Sequence, residues 1–465
     1  MKPSSLNEVF GNHFERFEGL EIRRNAIDDE YSIEITQKKL YMKNIVDKLS
    51  YFLENIDSIN VFDALTEVKM SINTRIKFDS RPSIIDSWVK NILGIICNGC
   101  ADFKIISINV LSKLCIVIPS LFSDDNLDDL VLLLREVLSS KDSILFEKSL
   151  VLLGNSISIS FSHATRLFSL FPVLVSSCSE DLSLNSMQMF CIRSFTNKLA
   201  GSGVFDLKQL MILLSKHISI PEDESGKTSE STVYASWALS DLISANTPGT
   251  ARALMETQVF LFMISLLSRS DHQVIIPALR TIGFVFDNLP NKNYFASDIF
   301  GEDFLRLLKN GITPISRETA LCLKSIVESQ THIDGLEIET MLLRVFDLIS
   351  ERSFEDSQAY YSLLLALLEQ SSQSDIEKLD MYSFLKKTLK FLQYENIVIA
   401  REVLQCLYQY YIKVSYSGQG GSFVEMFESL DGKQIVENLR ELEDEEIHAS
   451  LEVLIHEMSN ESLSH

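Results

Sequence analysis

Apolar residues recur along most of this chain at helical spacing, and the pattern repeats. In the stretch ASWALSDLIS (235–244), Leu239 and Leu242 lie two and five places after Trp237. PALRTIGFVFD (277–287) places Ile282 and Val285 the same distances after Arg280, and ETALCLKSIVES (318–329) places Leu323 and Ile326 after Leu321. Such offsets put one face of an α-helix into a core. Upstream, the same alignment sets Asn109 in SINVLSKLCIV, Val151 in KSLVLLGNSIS and Phe190 in MFCIRSFTNK at the reference position; downstream it reaches Ser362 and Glu402. Successive reference positions are 42, 39, 47, 43, 41, 41 and 40 residues apart.

Between these helices lie further apolar ones, such as QVFLFMISLLSRS (258–270) and IETMLLRVFDLIS (338–350). A period of roughly 40–47 residues with two or three helices per unit is that of armadillo or HEAT repeats, whose units bury their apolar faces only by stacking. The expected fold is all-α, an armadillo-repeat α-solenoid. The long step from 190 to 237 contains PEDESGKTSES (221–231), read as a surface insertion. Residues 1–45 are polar and lack the repeat, so an N-terminal segment is expected over 1–50 and the repeats over 51–414. SYSGQGG marks a flexible linker over 415–422, and the acidic amphipathic piece over 423–465 suits a capping repeat.

Composition narrows the function. With 42 basic and 64 acidic residues, the net charge of −22 disfavours a nucleic-acid partner and suits a positively charged one. No segment has the length and apolarity of a membrane span or the pattern of a secretion signal. Seven scattered cysteines suit free thiols in a reducing compartment, and the chain is expected in cytoplasm and nucleus. Cys97-x-x-Cys100 has no second ligand pair nearby for zinc, and no His or Cys constellation supports catalysis. Neither an enzyme activity, nor a metal, nor a cofactor is therefore expected.

In order and spacing, ASWALSDLIS, VIIPALRTIGFVF (274–286), ISRETALCLKSIVES (315–329), ALTEVKMSIN (64–73) and the C-terminal piece resemble the importin-α (karyopherin-α) family, and the resemblance covers nearly the whole chain. It implies a right-handed superhelix of about ten repeats whose inner groove binds the basic localisation signals of cargo proteins. Groove helices of that family present a Trp and, four residues later, an Asn. Residues i and i+4 share a helix face; the indoles form cation–π slots for basic stems, and the amides hold the peptide backbone. The repeat alignment puts Val151/Asn155, Phe190/Ser194, Trp237/Asp241, Arg280/Phe284 and Leu321/Ser325 at these positions, with Asn109/Lys113 before them. Asn155 and Trp237 keep the family's Asn and Trp, and Arg280 matches a family Arg that lies between two cargo pockets, so Asn155, Phe190, Ser194, Trp237, Asp241, Arg280, Leu321 and Ser325 are the candidate groove residues.

EIRRNAIDDEYSIEITQKKLYMKNI (21–45) resembles a shortened importin-β-binding segment, which makes Arg23, Arg24, Lys38 and Lys39 the candidate importin-β contacts. An export receptor is implied at the last repeat, where ELEDEE (441–446) is either a solvated helix face or a contact surface. Two functions stand side by side. One is an import adaptor linking cargo to importin-β; the other is an armadillo scaffold that has lost ordinary signal binding and holds another extended partner.

Overall fold

The structure is a computed structural model. It describes residues 21–462 apart from 55, 57–60, 79–80, 119–120, 140–141, 177–181, 224–225, 246–248, 289–298, 330–336, 350–353 and 395, and apart from the side chains of 21–36, 182–185, 299–302, 354–355 and 460–462. The chain forms two compact units, residues 1–177 and 178–465. In the first, the helices are α1 Glu21–Glu54, α2 Val61–Ser71, α3 Ile85–Asn98, α4 Ala101–Val117, α5 Asp124–Leu138, α6 Ser143–Ile159, α7 Phe161–Leu167 and α8 Phe171–Ser176. In the second they are α9 Leu182–Leu199, α10 Leu207–Ile218, α11 Glu230–Ser244, α12 Thr250–Glu256, α13 Val259–Ser265, α14 His272–Asn288, α15 Ile299–Leu308 and α16 Thr313–Glu328. There follow α17 Ile338–Ile349, α18 Phe354–Gln370, α19 Gln373–Ile376, α20 Met381–Leu392, α21 Ile397–Tyr416, α22 Gly420–Ser429, α23 Gly432–Asn438 and α24 Glu445–Ser462.

Side-chain caps start many of these helices where the sequence turns polar. Asp142 accepts from the Ile144 and Leu145 N–H groups at the head of α6, Ser229 from Thr232 at α11, and Asn396 from Val398 and Ile399 at α21. Each satisfies donors that the first helical turn leaves unpaired, typically worth ~1 kcal/mol.

Within each unit the long helices at the repeat period stack side by side. α2, α4 and α6 pack in succession in the first unit; α9, α11, α14, α16, α18, α21 and α24 do so in the second. These ladders are the sequence motif made physical: Leu239, Leu242, Ile282, Val285, Leu323 and Ile326 are all nearly or wholly buried. The remaining helices form an outer layer, and long side chains tie one repeat to the next. Arg269 donates to the Ile220 carbonyl at 2.8 Å, Arg306 to Leu267 at 2.5 Å, and the Tyr360 hydroxyl to Leu308 at 2.7 Å. These carbonyls lie at or just beyond helix C-termini, where no intrahelical donor reaches them.

Two expected boundaries move. The line drawn at residue 50 falls inside α1, whose second half belongs to the first repeat: Ile45, Leu49 and Phe52 are fully buried, and the Phe52 ring stands 5.7 Å from that of Trp88 on α3. The stretch expected to be a flexible linker, 415–422, is a compact turn. α21 runs to Tyr416 and α22 begins at Gly420; Gly418 (φ +75°) and Gln419 donate back to the Ser415 and Val414 carbonyls. A Gly/Ser-rich string is read as a linker by composition, but here glycine supplies one left-handed residue between two packed helices.

The acidic run 441–446 is half spent on structure. Asp444 caps α24 through the Ile447 N–H and, with Glu446, grips Arg401 of α21. Gly432 is required where it stands, since a Cβ there would lie 2.6 Å from the Phe427 ring.

Candidate partner-binding ladder

Exposure along the ladder helices follows one rhythm. In α11 the residues that escape burial near the centre are Tyr234, Trp237 and Asp241; in α14, Arg280 and Phe284; in α16, Glu318, Leu321, Lys324 and Ser325. In the first unit they are Asn109 and Lys113 on α4, and Val151 and Asn155 on α6. These candidate residues therefore do share one face of their helices.

The pair Phe190/Ser194 does not belong to that register and is corrected. The Phe190 ring packs on Tyr234 at 5.6 Å, and Ser194 is buried, donating to its own helix at the Phe190 carbonyl. The residues beside Trp237 and Asp241 are Arg193 and Asn197, three places further on. The step from α6 to α9 is then 42 residues and that from α9 to α11 is 44, so the spacing calls for no long insertion at 221–231, whose last two residues begin α11. The misalignment has a plain cause. At Arg193 the fifth place on is Lys198, which breaks the apolar rule, whereas Phe190 satisfies it with Ile192 and Phe195. A better signal lay in the small residues one and three places after the reference: Ser194 and Thr196, Ala238 and Ser240, Thr281 and Gly283. They sit where neighbouring ladder helices approach.

Around Trp237 the chain fills its own slot. The Arg193 guanidinium lies 5.2 Å from the indole centroid and that of Arg280 lies 5.6 Å from it, each worth ~0.5–2 kcal/mol as a cation–π contact. Arg280 is held in turn by Glu318, which accepts from Nε at 3.0 Å and Nη2 at 2.6 Å. Asp241, one turn beyond Trp237, is mostly enclosed; its Oδ1 accepts from Asn197 at a long 3.4 Å, and its Oδ2 is buried without a hydrogen bond. Burial pushes the Asp241 carboxyl up to about 6, against the pull of Arg193, Asn197 and Arg280. Burial likewise lowers the Arg193 pKa, with Asp241 opposing.

Next along the ladder is an open cleft of about 220 Å³ between α14 and α16. Leu279, Gly283, Phe284, Leu321 and Cys322 contribute apolar wall, and Arg280, Asp287, Glu318 and Ser325 the polar rim. Thus Arg280, Leu321 and Ser325 are brought together, with Glu318 and Asp287 as neighbours that sequence reading had not singled out.

In the first unit, Asn155 turns its amide inward. Its Nδ2 donates to the Ser112 carbonyl at 3.0 Å and to the Ser112 hydroxyl at 2.9 Å. The Lys113 ammonium donates to the Lys69 carbonyl in the last turn of α2. Of the candidate importin-β contacts, the side chains of Arg23 and Arg24 lie outside the described residues; Lys39 is exposed and Lys38 half-buried.

Cys97 is the last residue but one of α3 and Cys100 precedes the first residue of α4; both are exposed. Cys178 lies outside the described residues. Among the described residues no group of three or more His, Cys, Asp or Glu could hold a metal ion. No single helix there is long and apolar enough to cross a membrane; α12 and α13 qualify only as a pair, bent by 80°, and Val259, Phe260 and Met263 of α13 are buried in the repeat core.

Stacked helical repeats with one ladder face define an α-solenoid of the armadillo type. Solved structures carry the same fold. An engineered protein superposes with a TM-score of 0.65 at 14% identity, over 89% of this chain and 99% of that one. A chain from a structure describing the phosphorylation switch that controls the interaction between cadherin and β-catenin does so with a TM-score of 0.59 at 15% identity, over 86% and 80%. A designed armadillo repeat protein aligns over 51% of this chain with a TM-score of 0.39, too partial a match to bear weight. At such identities the likeness is one of fold alone. No protein-family model matches the sequence, and no curated protein does.

Proposed function

We propose that this chain is an armadillo-repeat adaptor whose ladder face, in residues 178–465, holds an extended and positively charged segment of a partner protein. The observation that supports it most is a row of exposed carboxylates on the ladder: Asp287 on α14, Glu328 on α16, which also pairs with Lys324 one turn back at 3.5 Å, and Glu369 on α18, each 41 residues after the last. Equal steps place them side by side along the stack, and the net charge of −22 adds a long-range attraction for cations. The specific form of this function is nuclear import. Cargo localisation signals occupy the ladder, importin-β meets Arg23, Arg24, Lys38 and Lys39 of α1, an export receptor meets the last repeat, and the protein moves between cytoplasm and nucleus.

A second reading, a scaffold that no longer takes ordinary localisation signals, is favoured by two contacts. Trp237 is already met by the guanidinium groups of Arg193 and Arg280, and the Asn155 amide is spent on Ser112.

Calorimetric titration of the full chain with a basic bipartite signal peptide separates the two. The import form expects micromolar or tighter binding that weakens as salt is raised from ~0.05 to 0.5 M and on Glu369→Lys. It also expects capture of importin-β by the full chain, lost when Arg23, Arg24, Lys38 and Lys39 are changed to Glu. Absence of both leaves only the scaffold.

A further inference from the structure

The geometry points to an uncharged, bulky anchor side chain, flanked by Lys or Arg, as the feature of the partner segment that the cleft between α14 and α16 selects. This inference rests on the ladder face being the binding surface and adds what that surface reads. Three observations carry it. First, the aromatic slot that could grip a basic stem is already occupied, since Arg193 and Arg280 lie 5.2 and 5.6 Å from the Trp237 ring centre. Second, the cleft that does stand open is walled by Leu279, Phe284, Leu321 and Cys322, with bare backbone at Gly283. Its volume of about 220 Å³ falls below the ~300–1,000 Å³ of small-molecule sites and suits one side chain.

Third, the charged groups of the cleft leave its wall neutral and its rim acidic: Arg280 and Glu318 are paired with each other, and Asp287 stands at the edge. Arg280 and Glu318 neutralise each other at 2.6 Å, so an entering Lys would meet the Arg280 charge or have to break a two-point ion pair. An apolar side chain loses nothing to that pair and gains burial against Phe284 and Leu321. Asp287 at the rim, and beyond it Glu369 and Glu328 (the last paired with Lys324 at 3.5 Å), present carboxylates to the flanking basic residues. Gly283 lets α14 and α16 approach closely beside the cleft: a Cβ there would rest at 3.5 Å from Cys322 Cα and Ser325 Oγ, so alanine fits and anything longer presses on α16.

The test uses the full chain and two short fluorescein-labelled peptides, with cores Lys-Lys-Leu-Lys-Lys and Lys-Lys-Lys-Lys-Lys, followed by anisotropy. The leucine peptide is expected to bind about tenfold or more tightly. Leu321→Ser removes most of that preference while changing the affinity for the lysine peptide by about twofold or less. Leu321 is 37% exposed, so this change spares the core, and circular dichroism checks that the variant stays helical. Equal affinities, or a preference for the lysine peptide, overturn the anchor. If equal binding is nevertheless weakened by Asp287→Lys, the ladder reading stands without the anchor. Binding of neither peptide overturns both.

Discussion

Asp241 is the residue on which the ladder's electrostatics turn. It is enclosed beside Trp237, facing the Arg193 and Arg280 charges from neighbouring helices and the Asn197 amide, yet burial outweighs them and raises its carboxyl to about 6, well above the ordinary range of an aspartate. The folded protein therefore binds this proton more tightly than the unfolded chain does. Its stability contribution falls as pH rises from about 4 to 6, because the unfolded state ionises first. Asp241→Asn removes this dependence. The stability of the variant relative to the parent is expected to rise by on the order of 2–3 kcal/mol between pH 4 and 7. Urea unfolding across that range checks it, and a constant difference would show that the carboxyl titrates normally. The opposite trend, parent gaining on the variant, would mean that the ion pair with Arg193 prevails over burial.

Among elements, the stacking of ladder helices is what the sequence displayed most openly and also where it misled. The apolar pairs that follow Trp237, Arg280 and Leu321 all face the core, because burial of Leu, Ile and Val is read directly from a 3.6-residue period. The register of α9 was not legible from that rule, since Lys198 occupies a half-buried place that other repeats give to an apolar residue. Contacts between helices were not legible at all. Nothing in the residues flanking Asn155 shows that its amide would be donated to α4 rather than to a partner. That tie makes a prediction at this scale. Asn155→Ala should destabilise the first unit by ~1–2 kcal/mol with no ligand present, since two hydrogen bonds to Ser112 are lost. Urea denaturation followed through Trp88, on α3 in the same unit, reads it. A double-mutant cycle with Ser112→Ala should show ~0.5 kcal/mol or more of coupling. No coupling and no loss of stability would return Asn155 to the pool of residues free to hold a partner.

For the whole molecule, fold class and acidity were already plain from period and charge, while the division into units 1–177 and 178–465 was not. A solenoid binds each repeat chiefly to its neighbours, so stability is a sum of local terms and a defect need not travel. The two tryptophans happen to report on different units: Trp88 is fully buried on α3, and Trp237 stands on the ladder at α11. Phe52→Ala removes a ring packed 5.7 Å from Trp88 and is expected to cost the first unit ~3–5 kcal/mol. Measured in a Trp237→Phe background, the Trp88 transition should move to markedly lower urea. Measured in a Trp88→Phe background, the Trp237 transition should change by ~0.5 kcal/mol or less, as expected for distant sites without shared partners. Coincident shifts would instead show one cooperative body. Partner binding at the ladder would then draw on the stability of the entire chain, and α1, whose second half completes the first repeat, would influence the affinity of residues more than two hundred positions away.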